Sequence, residues 1–381
     1  MANIEPFHFE VSDKKLKDIR QRVAEYLWHE MPDDGGWDYG TNLDYMKVFC
    51  DYWLNHYDWR KHEAKINHFS HFKVRVDGID LHYIHEKGSG SSPQPLIISH
   101  GWPGSIVEFL DIIEPLAHPE RFGGNADDGF DVIAPSLPGF GFSSRPARPM
   151  GPRKMAHVFN SLMTDILGYD GYIAQGGDWG GAISSWLGFE HAACYAIHIN
   201  ILTMRHPHGP QSAEEQAWAD KFDQDQIMED GYRTQQATRP QTLSYAMMDS
   251  PVGLAAWFIE KFNSWSDTID NDIDRVHSKD SMLTNVMVYL ATGTFNTASW
   301  IYYGRREEGG RYMSLEDRRV EVPTALALFP AEMLAWPPRS YAERLYNVQQ
   351  WTEMAHGGHF AAMEQPALLI EDIRTFGRKL R

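Results

Sequence analysis

The residues best suited to chemistry lie in the segment 172–186, which reads YIAQGGDWGGAISSW. An apolar run ends at Gly176-Gly177, Asp178 follows, and Trp179-Gly180-Gly181 opens a helical pattern. A strand that turns sharply into a helix, with small residues flanking a reactive side chain, is a nucleophile elbow. Small flanks are required because the turn is strained and close-packed. Here the side chain is a carboxylate, which is ionised at neutral pH without a helper base. The plainer alternative is a Gly-rich turn in which Asp178 caps the next helix.

Other segments fit a nucleophile in that position. The apolar run 96–99 leads directly into His100-Gly101-Trp102-Pro103-Gly104. A loop at that place supplies one oxyanion-hole N–H, here that of Trp102, and Trp179, next after the nucleophile, supplies the other. His100 reads as a brace for its own loop. Chain order then calls for an acid and a base downstream. No carboxylate follows the run 195–199 until Glu214, whereas 324–328 is followed at once by Phe329-Pro330-Ala331-Glu332. Glu332 is the expected acid. The base is expected in Met354-Ala355-His356-Gly357-Gly358-His359-Phe360, at His359, which directly precedes an apolar run. Such a base implies loss of activity on acidification, with an apparent pKa within about a unit of 6.5. A zinc pair at His356 and His359, or at His206 and His208, is not expected, because no HExxH or Cys cluster stands nearby. No cofactor is implied, since Gly139-Phe140-Gly141 alone is too weak a nucleotide signal.

These groups need a scaffold. Leu16, Ile19, Val23 and Leu27 recur at helical spacing behind Ser12, and an aromatic helix is expected over 45–53. Alternation then predicts a hairpin, with Phe72, Val74 and Val76 before Asp77-Gly78 and Ile79, Leu81 and Tyr83 after it. Short apolar runs at 96–99, 130–134, 172–175, 195–199 and 324–328, separated by helical stretches, predict a parallel sheet. Polar helical sequence from 204 to 319 reads as an inserted cap. The expected divisions are an N-terminal extension wrapping the core (1–70), a core in two parts (71–203 and 320–381) and the cap (204–319).

Composition narrows the partners. A formal net charge of −17 repels phosphate backbones, so nucleic acid is not an expected partner. Two cysteines, Cys50 and Cys194, are too few for a disulfide framework. The first 18 residues carry Glu5, Glu10 and Asp13 and no apolar run, which argues against a signal peptide or anchor there. A cytoplasmic location is the expectation, and self-association into a homo-oligomer stays open.

Taken together, YWLNHYDWR, HGWPGS, LPGFGFS, QGGDWGG, DSPVGLAAW, LTNVMVYLATGT and AHGGHFAAMEQP span nearly the whole chain. In these the sequence resembles the epoxide hydrolases of the microsomal type, including juvenile-hormone and secondary-metabolite relatives. It departs from the membrane-anchored members in starting directly with the extension. The resemblance implies an α/β-hydrolase fold, with a mostly parallel central sheet flanked by helices, a helical cap and an N-terminal helical extension. It also implies conversion of an apolar epoxide to a vicinal diol through an ester on Asp178. Two cap tyrosines would bind the epoxide oxygen: Tyr232, and Tyr302 or its neighbour Tyr303. A haloalkane-type dehalogenase with the same Asp-His-Glu set is the near rival, and a catalytically inactive binding relative is the more distant one.

Overall fold

The computed structural model describes residues 3–312 and 318–381. Nine strands form one sheet: β1 (Glu5–Pro6), β2 (His71–Val76), β3 (Ile79–Glu86), β4 (Gln94–Ser99), β5 (Phe130–Pro135), β6 (Tyr172–Gly176), β7 (Cys194–Ile199), β8 (Val320–Leu328) and β9 (Tyr346–Glu353). Their order is β1-β2-β3-β5-β4-β6-β7-β8-β9. Pairing is antiparallel from β1 through β3 to β5 and parallel from β5 onward. This is the mostly parallel, helix-flanked sheet of the α/β-hydrolase fold.

The hairpin forms where alternation places it. Asp77 and Gly78 both take positive φ, 45° and 83°, as a two-residue turn matched to strand twist requires. In the parallel part, inner strands are wholly apolar because both faces are covered: Leu96, Ile97 and Ile98 of β4, and Val132 and Ile133 of β5, are all fully buried.

Between β7 and β8 lie six cap helices: Ala213–Glu229, Gly231–Thr238, Pro240–Asp249, Pro251–Ser264, Lys279–Thr292 and Phe295–Glu307. The N-terminal extension holds them as well as the core. Arg22 donates to both Asp249 O (2.7 Å) and Asp249 Oδ1 (2.9 Å), Tyr45 and Tyr52 donate to Asp274 and Asp280, and Tyr57 bonds Thr284.

Two details differ from the sequence reading. The first helix, Asp13–Ala24, is capped by Ser12 Oγ as expected, but it closes at Glu25, whose N–H bonds Gln21 O. Leu27 thus falls beyond the helix, 89% exposed, and does not extend the stripe of Ile19 and Val23. Strand β9 was not foreseen at all. Its buried face carries Gln350, held by Asp372 Oδ1 at 2.9 Å, so the apolar alternation that marks a strand is broken there.

Among the described residues no helix is long and apolar enough to cross a membrane. Cys50 and Cys194 are buried free thiols.

Candidate active site

Register brings the loops together before any side chain is considered. Ser99 of β4 and Ile199 of β7 both pair with Gly176 at the end of β6, and Leu326 of β8 pairs with Ile199. The loops opening at His100, Gly177 and Asn200 therefore emerge side by side at one edge. At the elbow Asp178 has φ +46°, a strained value for a residue with a side chain. Its neighbours leave no choice of residue: a Cβ on Gly176 would meet Gly180 C at 2.2 Å, and one on Gly180 would meet Ser99 O at 1.8 Å. Asp178 is the first residue of the helix Asp178–Glu190, and no side chain caps that helix. Its Oδ1 instead accepts the Trp102 N–H at 2.7 Å. A free Cβ on Gly101 would lie 2.1 Å from that same oxygen, so only glycine lets the loop approach so closely. Trp179 follows in the first turn, where amides have no intrahelical acceptor.

The surrounding loop is braced from below and above. His100 Nε2 accepts from Leu137 N–H (3.2 Å) while Nδ1 donates to Gly101 O (3.0 Å), and burial pushes its pKa down to about 4. It is a neutral strut. Asn285 and Tyr289 of the cap donate to Pro103 O and Gly104 O at 2.8 and 2.7 Å. The segment LTNVMVYLATGT was visible in the sequence, but nothing there said that two of its polar groups fasten the loop at Pro103 and Gly104.

His359 and Glu332 meet because their loops are bridged: Ala331 N–H bonds Gly357 O at 3.0 Å, and Ala331 forms an isolated parallel bridge with Gly358. His359 Nδ1 lies 3.0 Å from both Glu332 oxygens, and Glu332 Oε1 also accepts the Leu334 N–H. The other ring nitrogen, Nε2, is 3.3 Å from Asp178 Oδ2 but off the line of a hydrogen bond. His359 N–H bonds Trp265 O, and Glu364 accepts the N–H groups of Asp267, Gly358 and Phe360 at 2.9 Å each, fixing the loop's path. Neither Trp265 nor Glu364 stood out in the sequence. His356 is exposed and takes no part.

Burial alone would lower the His359 pKa, but the charges of Glu332 and Asp178 outweigh it and hold it well above 6.5. An imidazole flanked by two carboxylates keeps its proton until one of those charges is removed.

Above Asp178 stand the cap aromatics. The Tyr232 ring is parallel to that of Trp102 at 5.3 Å, and Tyr302 meets the rings of Trp179, Trp102 and Tyr232 edge-on at 4.7, 5.7 and 5.8 Å. Tyr302 is 4% exposed, and its hydroxyl has no well-aligned hydrogen bond among the described residues. Among the described residues Tyr303 makes no ring contact to these aromatics, whereas Tyr302 makes three. Burial, with the Asp178 charge among the further causes, raises both phenol pKa values, so both stay protonated donors. Behind Tyr232, the buried Lys261 lies 4.7 Å from its ring and is paired with Glu229 and Glu260. Sequence reasoning passed over Lys261 because a lysine on a cap helix ordinarily faces solvent.

The sheet, the elbow and the inserted helices define an α/β-hydrolase-fold enzyme with a cap domain. Residues 4–109 match the family described as epoxide hydrolase N terminus, and residues 94–247 match the alpha/beta hydrolase fold. Epoxide hydrolase 1 of Sus scrofa is 34% identical over 402 residues, covering 98% of this chain and 88% of that protein. The structure of Aspergillus niger epoxide hydrolase superposes with a TM-score of 0.86 at 29% identity, covering 100% of this chain and 97% of its own. Juvenile hormone epoxide hydrolase from Bombyx mori gives 0.89 at 27% identity, covering 100% and 96%. The chain belongs to the epoxide hydrolases of the microsomal type, enzymes that hydrolyse epoxides.

Proposed function

We propose that this enzyme converts an apolar epoxide to a vicinal diol through a covalent ester on Asp178, with His359 and Glu332 hydrolysing that ester. The observation that carries the reading is convergence: one carboxylate, with its Oδ1 on the Trp102 amide, faces two protonated phenols on one side and a carboxylate-oriented imidazole on the other.

An epoxide is strained, but its leaving alkoxide is poor, so it needs a close nucleophile and a proton donor together. Asp178 Oδ2 attacks a ring carbon while Tyr232 and Tyr302 donate to the departing oxygen, one of them giving up its proton. Water then attacks the ester carbon and His359 Nε2 takes a proton from it. The Trp102 and Trp179 amides stabilise the resulting oxyanion, each such donor being worth about 3 kcal/mol. Apolar rings around Tyr232 and Tyr302 suit an apolar substrate.

For a dehalogenase the cap would have to offer N–H groups to a halide. The buried Trp179 indole lies against the Tyr302 hydroxyl, and two phenols stand over the nucleophile, which favours an oxygen leaving group. The test is intact-mass measurement of the His359→Gln variant after exposure to styrene oxide, beside diol and halide assays of the native enzyme. The expected result is the protein plus one substrate mass, located on Asp178. Label at another residue, or halide release without diol formation, would falsify the reading.

A further inference from the structure

Ester hydrolysis needs a water held against the Asp178 carbon, on a side the epoxide does not occupy. Behind Asp178 lies a small cavity lined by Glu108, Gln175, Asn200, Phe360 and His359 as well as Asp178 itself. Its free space for the centre of a water-sized sphere is about 10 Å³, roughly the room one water needs. Among the described residues, two buried polar atoms of its lining, His359 Nε2 and Gln175 Oε1, have no well-aligned hydrogen-bond partner, although His359 Nε2 lies 3.3 Å from Asp178 Oδ2. Gln175 cannot turn to satisfy itself, because its Nε2 is committed to Asn200 Oδ1 at 3.0 Å. A polar cavity with room for a single water and several converging partners is a water site.

Glu108 is the member of this lining that the sequence did not reveal. It sits on the short turn after HGWPGS, and its Oε1 packs over Gly104, where a Cβ would come within 1.5 Å. It also lines a second cavity of about 460 Å³, whose rim residues Lys61, Lys65 and Asp111 are exposed. Glu108 is the residue common to both cavities, and so stands between the back of the active site and bulk water.

We propose that the cavity behind Asp178 holds the hydrolytic water and that Glu108 is its second positioning residue, accepting a hydrogen bond from one water proton while His359 Nε2 removes the other. This rests on the aspartyl-ester reading and deepens it. In the step, the water oxygen bonds to the ester carbon and the carbonyl electron pair moves onto Oδ1 against the Trp102 amide. One proton goes to His359. Collapse restores the carbonyl and breaks the bond to the diol oxygen, which takes the proton from His359. The carboxyl proton left on Asp178 returns to the phenolate that opened the ring, so no proton is gained or lost.

Charge supports the timing. Burial, with the Asp178 charge adding to it and both His359 and a backbone hydrogen bond from Gly101 opposing it, pushes the Glu108 carboxyl up to about 8. Lys61, His62, Lys65, Asp111, His277 and Asp280 face it across the second cavity. Esterification removes the Asp178 charge, and as His359 takes a proton from the water it regains the positive charge it carried in the free enzyme. Both changes favour ionised Glu108, the better acceptor, during the hydrolytic step.

The rival account is a brace for the HGWPGS loop. A brace would also displace the Trp102 amide, and so would harm ester formation and hydrolysis alike. A water-positioning residue affects hydrolysis alone. Native enzyme, Glu108→Gln and Glu108→Asp are compared in single turnover with styrene oxide, following the ester by intact mass after acid quench. The expected result for Glu108→Gln is ester formation within about threefold of native and ester decay ten- to a hundredfold slower. In the steady state kcat and KM then fall together, leaving kcat/KM nearly unchanged. Glu108→Asp, which keeps the carboxylate one methylene short, should lie between, and it decides the matter if Glu108→Gln does not fold. Unchanged ester decay in both variants, or kcat/KM falling as far as kcat, overturns the proposal. A native enzyme that makes diol without any ester on Asp178 instead overturns the reading beneath it.

Discussion

Replacing Tyr302 by Phe separates what its hydroxyl does for the fold from what it does for the reaction. The ring is locked edge-on against Trp179 at 4.7 Å and against Trp102 at 5.7 Å, and Phe preserves both contacts. The hydroxyl itself is buried beside the Trp179 indole, with no well-aligned hydrogen bond among the described residues. An unsatisfied buried hydroxyl costs the folded state about 1 to 3 kcal/mol, and a water reaching it recovers part of that. Its removal should thus take nothing from stability and return up to about 1 kcal/mol, no more than roughly 2 °C in Tm for a chain of this size. On the proposed route the same group donates to an oxygen gaining negative charge in ring opening, an interaction worth about 1.5 to 3 kcal/mol, or roughly ten- to a hundredfold in rate. The assay is kcat/KM for diol formation from styrene oxide, with Tm measured on the same preparations. Expected together are a ten- to hundredfold loss of kcat/KM and an equal or higher Tm. A variant within threefold of native kcat/KM, or one that melts several degrees lower, would refute the assignment of this hydroxyl to the leaving oxygen.

Three further outcomes follow from the geometry. The folded-state pKa of His359 is raised above its ordinary 6.5, so its ion pairing contributes stability that is complete below 6.5 and is lost as pH rises through the folded value. The Tm difference between native enzyme and Glu332→Gln should accordingly shrink as pH is raised from about 6 toward 9, and a difference that widens contradicts the pairing. Gly180→Ala would press a Cβ to 1.8 Å from Ser99 O, between two backbones that cannot part without opening the sheet. It should cost more than about 3 kcal/mol by urea unfolding, and a loss under 1 kcal/mol would show that the elbow relaxes freely. Glu364→Ala strips the acceptor from three buried or half-buried N–H groups and should cost about 2 to 4 kcal/mol, with slower ester hydrolysis because the His359 loop loosens. Native-like unfolding of that variant would remove Glu364 from the account.

What the sequence made legible was what local rules determine. Gly176, Gly180 and Asp178 declare a strained elbow because no other residues fit that turn, and Asp77-Gly78 declares a hairpin for the same kind of reason. Glu332 and His359 could be placed because each directly follows or precedes an apolar run that had to be a strand or a core segment. The groups that sequence reasoning missed share a different property. Glu108, Lys261, Glu364 and Gln350 are polar residues whose partners are mostly distant in sequence or are backbone groups, and each is buried or half-buried by the packing of elements from separate parts of the chain. No periodicity marks them. Strand β9 was missed for that reason too, since Gln350 points inward to Asp372. Tyr232 and Tyr302 came only from resemblance; among 17 tyrosines, nothing local distinguishes the two that face the nucleophile.

On the proposed aspartyl-ester route, the arrangement of charge lets one site run two opposed half-reactions. Attack on the epoxide requires Asp178 ionised, and a protonated His359 beside it does no harm, because the proton donors for that step are the phenols. Hydrolysis requires the reverse at His359, a neutral imidazole. With Glu332 at 3.0 Å and Asp178 Oδ2 at 3.3 Å, the free enzyme favours the protonated ring. Esterification cancels one of those two charges. A carboxylate that close favours the charged ring, so its loss lowers the His359 pKa. The first reaction thereby prepares the base for the second. The ester form should consequently show a lower apparent pKa for hydrolysis than the free enzyme shows for titration of His359. That comparison, made by ester decay against pH and by NMR of the imidazole in the uncomplexed enzyme, has a definite sign. Equal values, or a higher value in the ester form, would mean that Asp178 does not control the protonation of His359.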